Sequence, residues 1–175
     1  MSIKSKAIRC SGLLKIFLLK LKGNHMIAHR SVMLNHCCVS AKSGSIILNR
    51  NIYVMPNTAL EATDSGEIDI DNSVFINRNC VISAKKHIFI GEGTTIGPGT
   101  LIYDHDHDVK NRGHFISQEV NIGKNVWIGG GCIVLKGVTI GDNSVIAAGT
   151  IVTSDIPQNK VRYNKIVPVD MDLQK

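Results

Sequence analysis

The chain has 175 residues, enough for one well-cored domain and too few to presume two. Hydrophobic residues make up 43% and aromatic ones only 5%, which excludes a disordered chain and calls for an aliphatic core. The net charge of +6 is uneven: residues 1–60 hold nine Lys/Arg and no acid, while residues 61–175 hold eleven bases against fourteen acids, a balance of −3.

In chain order, residues 3–22 read as a basic amphipathic helix. Its apolar cluster (Leu13, Leu14, Ile16, Phe17, Leu18, Leu19, Leu21) is interrupted by Lys15 and Lys20. The stretch is too short and too charged to span a bilayer, and no small-residue cleavage site follows it. Two roles fit: a helix that caps the open end of a repeat or packs on a neighbouring subunit, or peripheral attachment to an anionic membrane surface. The positive charge sits in this one apolar stretch with no aromatic-rich basic sheet beside it, which argues against a nucleic-acid partner. Residues 1–30 are therefore set apart as a helical segment. Cys10, Cys37, Cys38, Cys80 and Cys132 are odd in number and show no metal-binding spacing, which points to a reducing, cytoplasmic setting.

From Ile90 an aliphatic residue returns every sixth position: Ile90, Ile96 and Ile102, then Ile122, Ile128, Val134, Ile140, Ile146 and Val152. Period six is neither helical nor a simple strand alternation, so it marks a repeat architecture. Ile70, Ile76 and Ile82 carry the step backwards. Two extra residues within Ser83–Phe89 suggest a bulged corner. Ile52, eighteen residues before Ile70, suggests a degraded coil over Gly44–Thr63. Three hexads per coil imply three short strands and three corners, a triangular solenoid over residues 31–157 with a tail at 158–175. Gly91, Gly97, Gly123, Gly129 and Gly141 follow the inward aliphatics and are expected to supply turn conformations. Asn77 and Ala147 share their slot. Thr94, Thr100, Cys132, Ser144 and Thr150 are expected to fill the remaining interior.

The repeat breaks once, over residues 103–121, a long loop that carries Asp104-His105-Asp106-His107-Asp108. An extended segment puts residues 105 and 107 on one face, so either His105 or His107 can act as a general base. Two His flanked by three Asp could also chelate a divalent metal.

The run Asn121-Ile-Gly-Lys-Asn-Val-Trp127-Ile-Gly-Gly-Gly131, followed by Gly137-Val-Thr-Ile-Gly-Asp-Asn-Ser-Val-Ile-Ala-Ala-Gly149, closely resembles the hexapeptide-repeat acyltransferases. Within them it is most similar to the maltose and galactoside acetyltransferases and the polysaccharide O-acetyltransferases. The resemblance implies an all-β fold, the left-handed parallel β-helix, to which the residues themselves add an N-terminal helix and one long loop. It implies acetyl-CoA as co-substrate, no metal, and a sugar or polysaccharide hydroxyl as acceptor. It also implies a homotrimer whose sites combine the His loop of one subunit with the groove of another.

By the same resemblance His107 is the first choice of base, with His105 the alternative, and the N–H of Gly130 holds the oxyanion. An imidazole that titrates near neutrality suits removal of a hydroxyl proton and its return to a thiolate. Asn77, Lys85, Tyr103, Asp104, Phe115 and Trp127 form the acceptor side. Trp127, Gly129, Gly130, Ala147 and Ala148 line the acetyl-CoA groove, with Lys136, Lys160, Arg162 and Lys165 as candidate phosphate partners.

This chain departs from the family pattern at three stretches of residues, and its His-bearing loop is shorter than in the galactoside enzymes. Lys85 stands where sugar acetyltransferases carry an acceptor-binding Asp, Ser154 replaces a Lys, and Arg162-Tyr-Asn-Lys165 replaces the family's usual ending. The first departure permits an anionic acceptor. Amino-sugar N-acetylation and antibiotic acetylation are neighbouring chemistries. A γ-carbonic-anhydrase-like zinc enzyme, using His105, His107 and His114, and a non-catalytic scaffold are readings from other classes.

Overall fold

The computed structural model describes residues 14–165. The part of the expected helix before residue 14, with Cys10, and the part of the tail after 165 lie outside the described residues. The described helix, α1, covers residues 14–21. It ends where Gly23 adopts a left-handed φ of 80°, and the Asn24 side chain donates to Leu19 O while accepting from Ala41 N. Ile16 is buried and Leu19 packs on the same core, so α1 lies against the solenoid's first coil.

Coil 1 runs through β1 (Met26–Ala28), β2 (Met33–Leu34) and β3 (Cys38–Ser40). Coil 2 follows with β4 (Ser45–Leu48), β5 (Tyr53–Val54) and β6 (Ala59–Ala62), and coil 3 with β7 (Glu67–Ile70), β8 (Phe75–Ile76) and β9 (Val81–Ala84). Coil 4 comprises β10 (His87–Ile90), β11 (Thr95–Ile96) and β12 (Leu101–Tyr103). The chain then leaves the solenoid as a hairpin, β13 (His105–His107) and β14 (Phe115–Ser117). It re-enters as coil 5, made of β15 (Val120–Ile122), β16 (Trp127–Ile128) and β17 (Ile133–Val134). Coil 6 has β18 (Thr139–Ile140), β19 (Val145–Ile146) and β20 (Ile151–Val152), and β21 (Val161–Arg162) belongs to a partial seventh.

Every third strand stacks in parallel, giving three sheets: β1-β4-β7-β10-β15-β18, β2-β5-β8-β11-β16-β19-β21, and β3-β6-β9-β12-β17-β20. This is the expected left-handed parallel β-helix. The inward aliphatics form continuous columns, such as Ile70, Ile90, Ile122 and Ile140, all essentially without solvent exposure. A second interior column alternates thiol and hydroxyl: Cys37, Thr58, Cys80, Thr100, Cys132 and Thr150. Thr58, Cys80, Thr100 and Cys132 each donate to a corner carbonyl of the following coil, those of Asn77, Gly97, Gly129 and Ala147. These four buried groups are thereby satisfied by the coil that follows each.

The structure corrects four expectations. Leu48, and not Ile52, stacks on Ile70; Ile52 belongs to a neighbouring buried column with Val32, Val74, Thr94, Val126 and Ser144. The extra residues before Ile90 make no bulge. They lengthen β9 and β10 and add Ala84 and Ile88 to the interior, as Ala62 and Ile68 do one coil earlier. The glycines after the inward aliphatics do not supply turn conformations. A Cβ on Gly97 would sit 2.5 Å from Gly130 N in the next coil, so close backbone approach excludes a side chain there. Left-handed backbone falls two residues further on, at Asn79, Gly99, Gly131 and Gly149. Lastly, the first strand begins at Met26, within the segment set apart as helical, and pairing continues to Arg162, beyond residue 157.

Candidate active site

The hairpin leaves the edge between the third and first sheets, and one buried carboxylate anchors its root. Asp104 follows β12 in the inward column of Ala62 and Ala84, and it has no solvent exposure. One coil earlier Thr63 N donates to Ala84 O, which continues the ladder. At coil 4 the chain departs, and the ladder's next donors turn to the Asp104 side chain. Lys85 N lies 2.9 and 3.1 Å from its two oxygens and Lys86 N 2.7 Å from Oδ2. A buried acid is thus paid for by backbone donors that the broken repeat leaves over.

The same carboxylate holds His105, whose Nδ1 lies 2.9 Å from Asp104 Oδ1. An acceptor at Nδ1 fixes the proton there and leaves the Nε2 lone pair as the basic site. Tyr103 and Phe115 meet the imidazole edge-on, with ring centroids at 5.8 and 5.4 Å. The His105 side chain is 13% exposed, so it is walled on three sides yet open. His107 shares this hairpin face but differs in support: it is exposed, tilts over Phe115 at 4.6 Å, and has no carboxylate on its ring. Opposite positions in the antiparallel pair, His105 with Ser117 and His107 with Phe115, put Phe115 between the two rings.

The other two acids of the motif are engaged locally. Asp106 is held below the usual carboxylate range by the hydrogen bond from Lys136, 3.3 Å away. Asp108 is lowered by the Asn111 side chain and by the N–H groups of Lys110 and Asn111, which it ties into the hairpin tip. Among the described residues no three His, Cys, Asp or Glu side chains converge as a metal-ligand set.

Lys85 closes the back of the cluster. Its ammonium lies 4.0 Å over the Phe115 ring, 3.3 Å from Thr63 Oγ1, and pairs with Asp64. Asp104 was expected on the acceptor side. The structure turns it inward, where it orients His105 and meets no solvent, because position 104 continues an inward column. The alanines at 62 and 84 were the sequence signal for that role.

A second feature lies on the second sheet and the edge after it, a groove of about 400 Å³. Its lining brings together six predicted residues: Asn77, Trp127, Gly129, Gly130, Ala147 and Ala148. Trp127 is 59% exposed and forms one wall. A Cβ on Gly129 would lie 2.5 Å from Ala148 N, and one on Gly130 would lie 3.2 Å from Pro98 O. Gly130 N–H donates to no backbone carbonyl among the described residues, whereas Gly131 N bonds Pro98 O and Gly130 O accepts from Gly149 N.

The four candidate cations do not gather here. Lys136 pairs with the hairpin, Arg162 donates to Ser154 Oγ and Asp155 O, and neither Lys160 nor Lys165 lines the groove. A larger cleft of about 500 Å³ lies along the edge after the first sheet, between corner residues such as Asn51 and Ser73, and contains none of the predicted site residues.

The family model for the bacterial transferase hexapeptide, six repeats, matches residues 119–154. A galactoside O-acetyltransferase of Lactococcus lactis is 39% identical over 121 residues, covering 66% of this chain and 58% of that protein. Nodulation protein L of Rhizobium meliloti is 47% identical over 94 residues, 51% of each chain. Over these stretches the chain is similar to the hexapeptide-repeat acyltransferases. This hexapeptide-repeat chain spans about half the length of the curated relatives it matches. A hexapeptide-repeat acetyltransferase of Vibrio cholerae, solved with acetyl-CoA, superposes with a TM-score of 0.57 at 25% identity, covering 91% of this chain and 84% of that one.

Proposed function

We propose that this protein moves an acetyl group from acetyl-CoA to a hydroxyl of a sugar or polysaccharide precursor, with His105 as general base. The observation that carries this reading is the buried Asp104 carboxylate on His105 Nδ1, beside the aromatic wall of Tyr103 and Phe115. His107, the first choice from resemblance, has no such partner and takes the role of an acceptor contact. Galactoside and nodulation acetyltransferases among the relatives, and acetyl-CoA in the Vibrio cholerae structure, support the donor and the sugar class.

In this mechanism His105 Nε2 removes the acceptor hydroxyl's proton as the oxygen attacks the thioester carbonyl. Gly130 N–H then receives the developing oxyanion. The imidazolium, held in place by Asp104 at Nδ1, returns its proton to the departing thiolate. Trp127 and the small residues Gly129, Ala147 and Ala148 hold the pantetheine arm against exposed backbone. Direct transfer leaves the cysteines without a role as acyl carriers. An amine acceptor on an amino sugar fits the same steps once it attacks in its neutral form.

The base and the groove occupy different edges of the triangle, with the third sheet between them. A single chain therefore offers a base without a donor groove beside it, and a homotrimer in which each hairpin faces a neighbour's groove completes the site. No helix among the described residues is long and apolar enough to cross a membrane. Acetyl-CoA as donor favours a cytoplasmic setting.

The test is acceptor-dependent thiol release from acetyl-CoA over a panel of sugars, nucleotide-linked sugars and amino sugars. His105→Ala is expected to lose about 10²–10⁴-fold in kcat, and His107→Ala less than tenfold. The opposite pattern returns the base to His107. No thiol release with any acceptor, together with no binding of acetyl-CoA, overturns the enzyme reading.

A further inference from the structure

We infer that α1 docks on an anionic lipid bilayer through a stripe of side chains facing away from the solenoid. Leu14, Phe17, Leu18 and Leu21 recur at i, i+3, i+4 and i+7, one face of a helix. They are 59%, 58%, 46% and 67% exposed. Ile16 and Leu19 lie on the opposite face and already pack on the core, so the outer stripe is not needed to hold the helix in place. A helix that serves only as a cap presents polar groups outward. This one is apolar on both faces. Ile27, soon after the helix and 68% exposed, adds a fifth large apolar side chain near this end of the chain.

Charge identifies the occupant. Lys20 and Lys22 are exposed, and at 100° per residue they flank the stripe on its two sides, where long stems can lie along apolar surface and raise their ammonium groups to lipid phosphates. Lys15 is used differently: its ammonium turns toward the Cys37 carbonyl and ties the helix to coil 1. The first sixty residues contain no Asp or Glu. Two copies of such a surface repel each other, whereas an anionic bilayer attracts it and buries the stripe at once. The inference is independent of acetyl transfer, since none of these residues belongs to the hairpin or the groove.

The experiment is flotation of the full chain with vesicles of phosphatidylcholine alone or mixed with phosphatidylglycerol, without substrates. The protein is expected to float with the mixed vesicles and to stay behind with phosphatidylcholine. Phe17→Ser with Leu21→Ser should lower partitioning more than tenfold. Lys20→Gln and Lys22→Gln should each lower it about fivefold, and added salt should do the same to the wild type. Melting temperatures should not fall in any variant, because every replaced side chain is exposed. Absence of flotation, equal flotation with both vesicles, or an unaffected Phe17/Leu21 variant overturns the proposal. So does self-association in sedimentation that the same variant abolishes while lipid binding is absent.

Discussion

Replacing Asp104 with Asn separates a catalytic role for this acid from a purely structural one. In the wild type the carboxylate accepts from Lys85 N, Lys86 N and His105 Nδ1, with no solvent exposure. Asn keeps one acceptor oxygen and sets an NH₂ against a donor at the other position. Hydrogen bonds to a charged group contribute about 1.5–3 kcal/mol each, so losing one or two costs about 1.5–6 kcal/mol. For a chain of this size that is a Tm fall of roughly 3–24 °C.

The catalytic effect is separate. An NH₂ facing His105 Nδ1 favours the tautomer with its proton on Nε2, which cannot accept one from substrate. The expected loss is about 10²–10⁴-fold in kcat, equal to about 3–5.5 kcal/mol of barrier, with little change in KM for acetyl-CoA. Initial rates of thiol release, measured well below the variant's Tm, provide the assay. A variant that melts early but keeps kcat within about threefold of wild type would show that Asp104 merely plugs the corner, and the reasoning about His105 would fail.

Gly97→Ala introduces a Cβ 2.5 Å from Gly130 N, so it should lower Tm through an overpacking cost of about 1–3 kcal/mol and slow turnover by displacing Gly130. Unchanged melting would contradict the close approach of coils 4 and 5. Thr150 Oγ1 is buried with no partner among the described residues, whereas Thr100 Oγ1 donates to Gly129 O at 3.1 Å. Thermal melts should therefore find Thr150→Val stabilising by about 1 kcal/mol and Thr100→Val destabilising by a similar amount. Asp69 has a carboxyl raised above its ordinary 3.8, first by burial and then by Glu67, and one of its oxygens is unpartnered. With the folded value raised, the ionised form costs stability at neutral pH, and that cost disappears as pH falls through the folded value to 3.8 and below. Asp69→Asn should raise Tm at pH 7 and lose that gain toward about pH 4; an equal gain at both would refute the electrostatic cause.

The hexad phases from Ile70 to Val152 were legible in the chain alone because each inward aliphatic meets only its own equivalents above and below. A one-dimensional period is then enough to name the core and the coil, while the superfamily rests on the resemblance of the run from Asn121 to Gly149. The break in that period also marked the segment that carries the candidate base, and Trp127, Gly129 and Gly130 stood out in the chain alone as groove candidates. What the sequence left open depends on contacts between residues distant in the chain. The choice between His105 and His107 rests on a carboxylate that turns inward where Lys85 and Lys86, some twenty positions earlier, lose their ladder partners. Gly97 looked like a turn residue until the backbone of Gly130 lay against it. The spread of base and groove over different edges also belongs to the folded triangle, since strand order within a coil, and not separation along the chain, decides which face each side chain reaches.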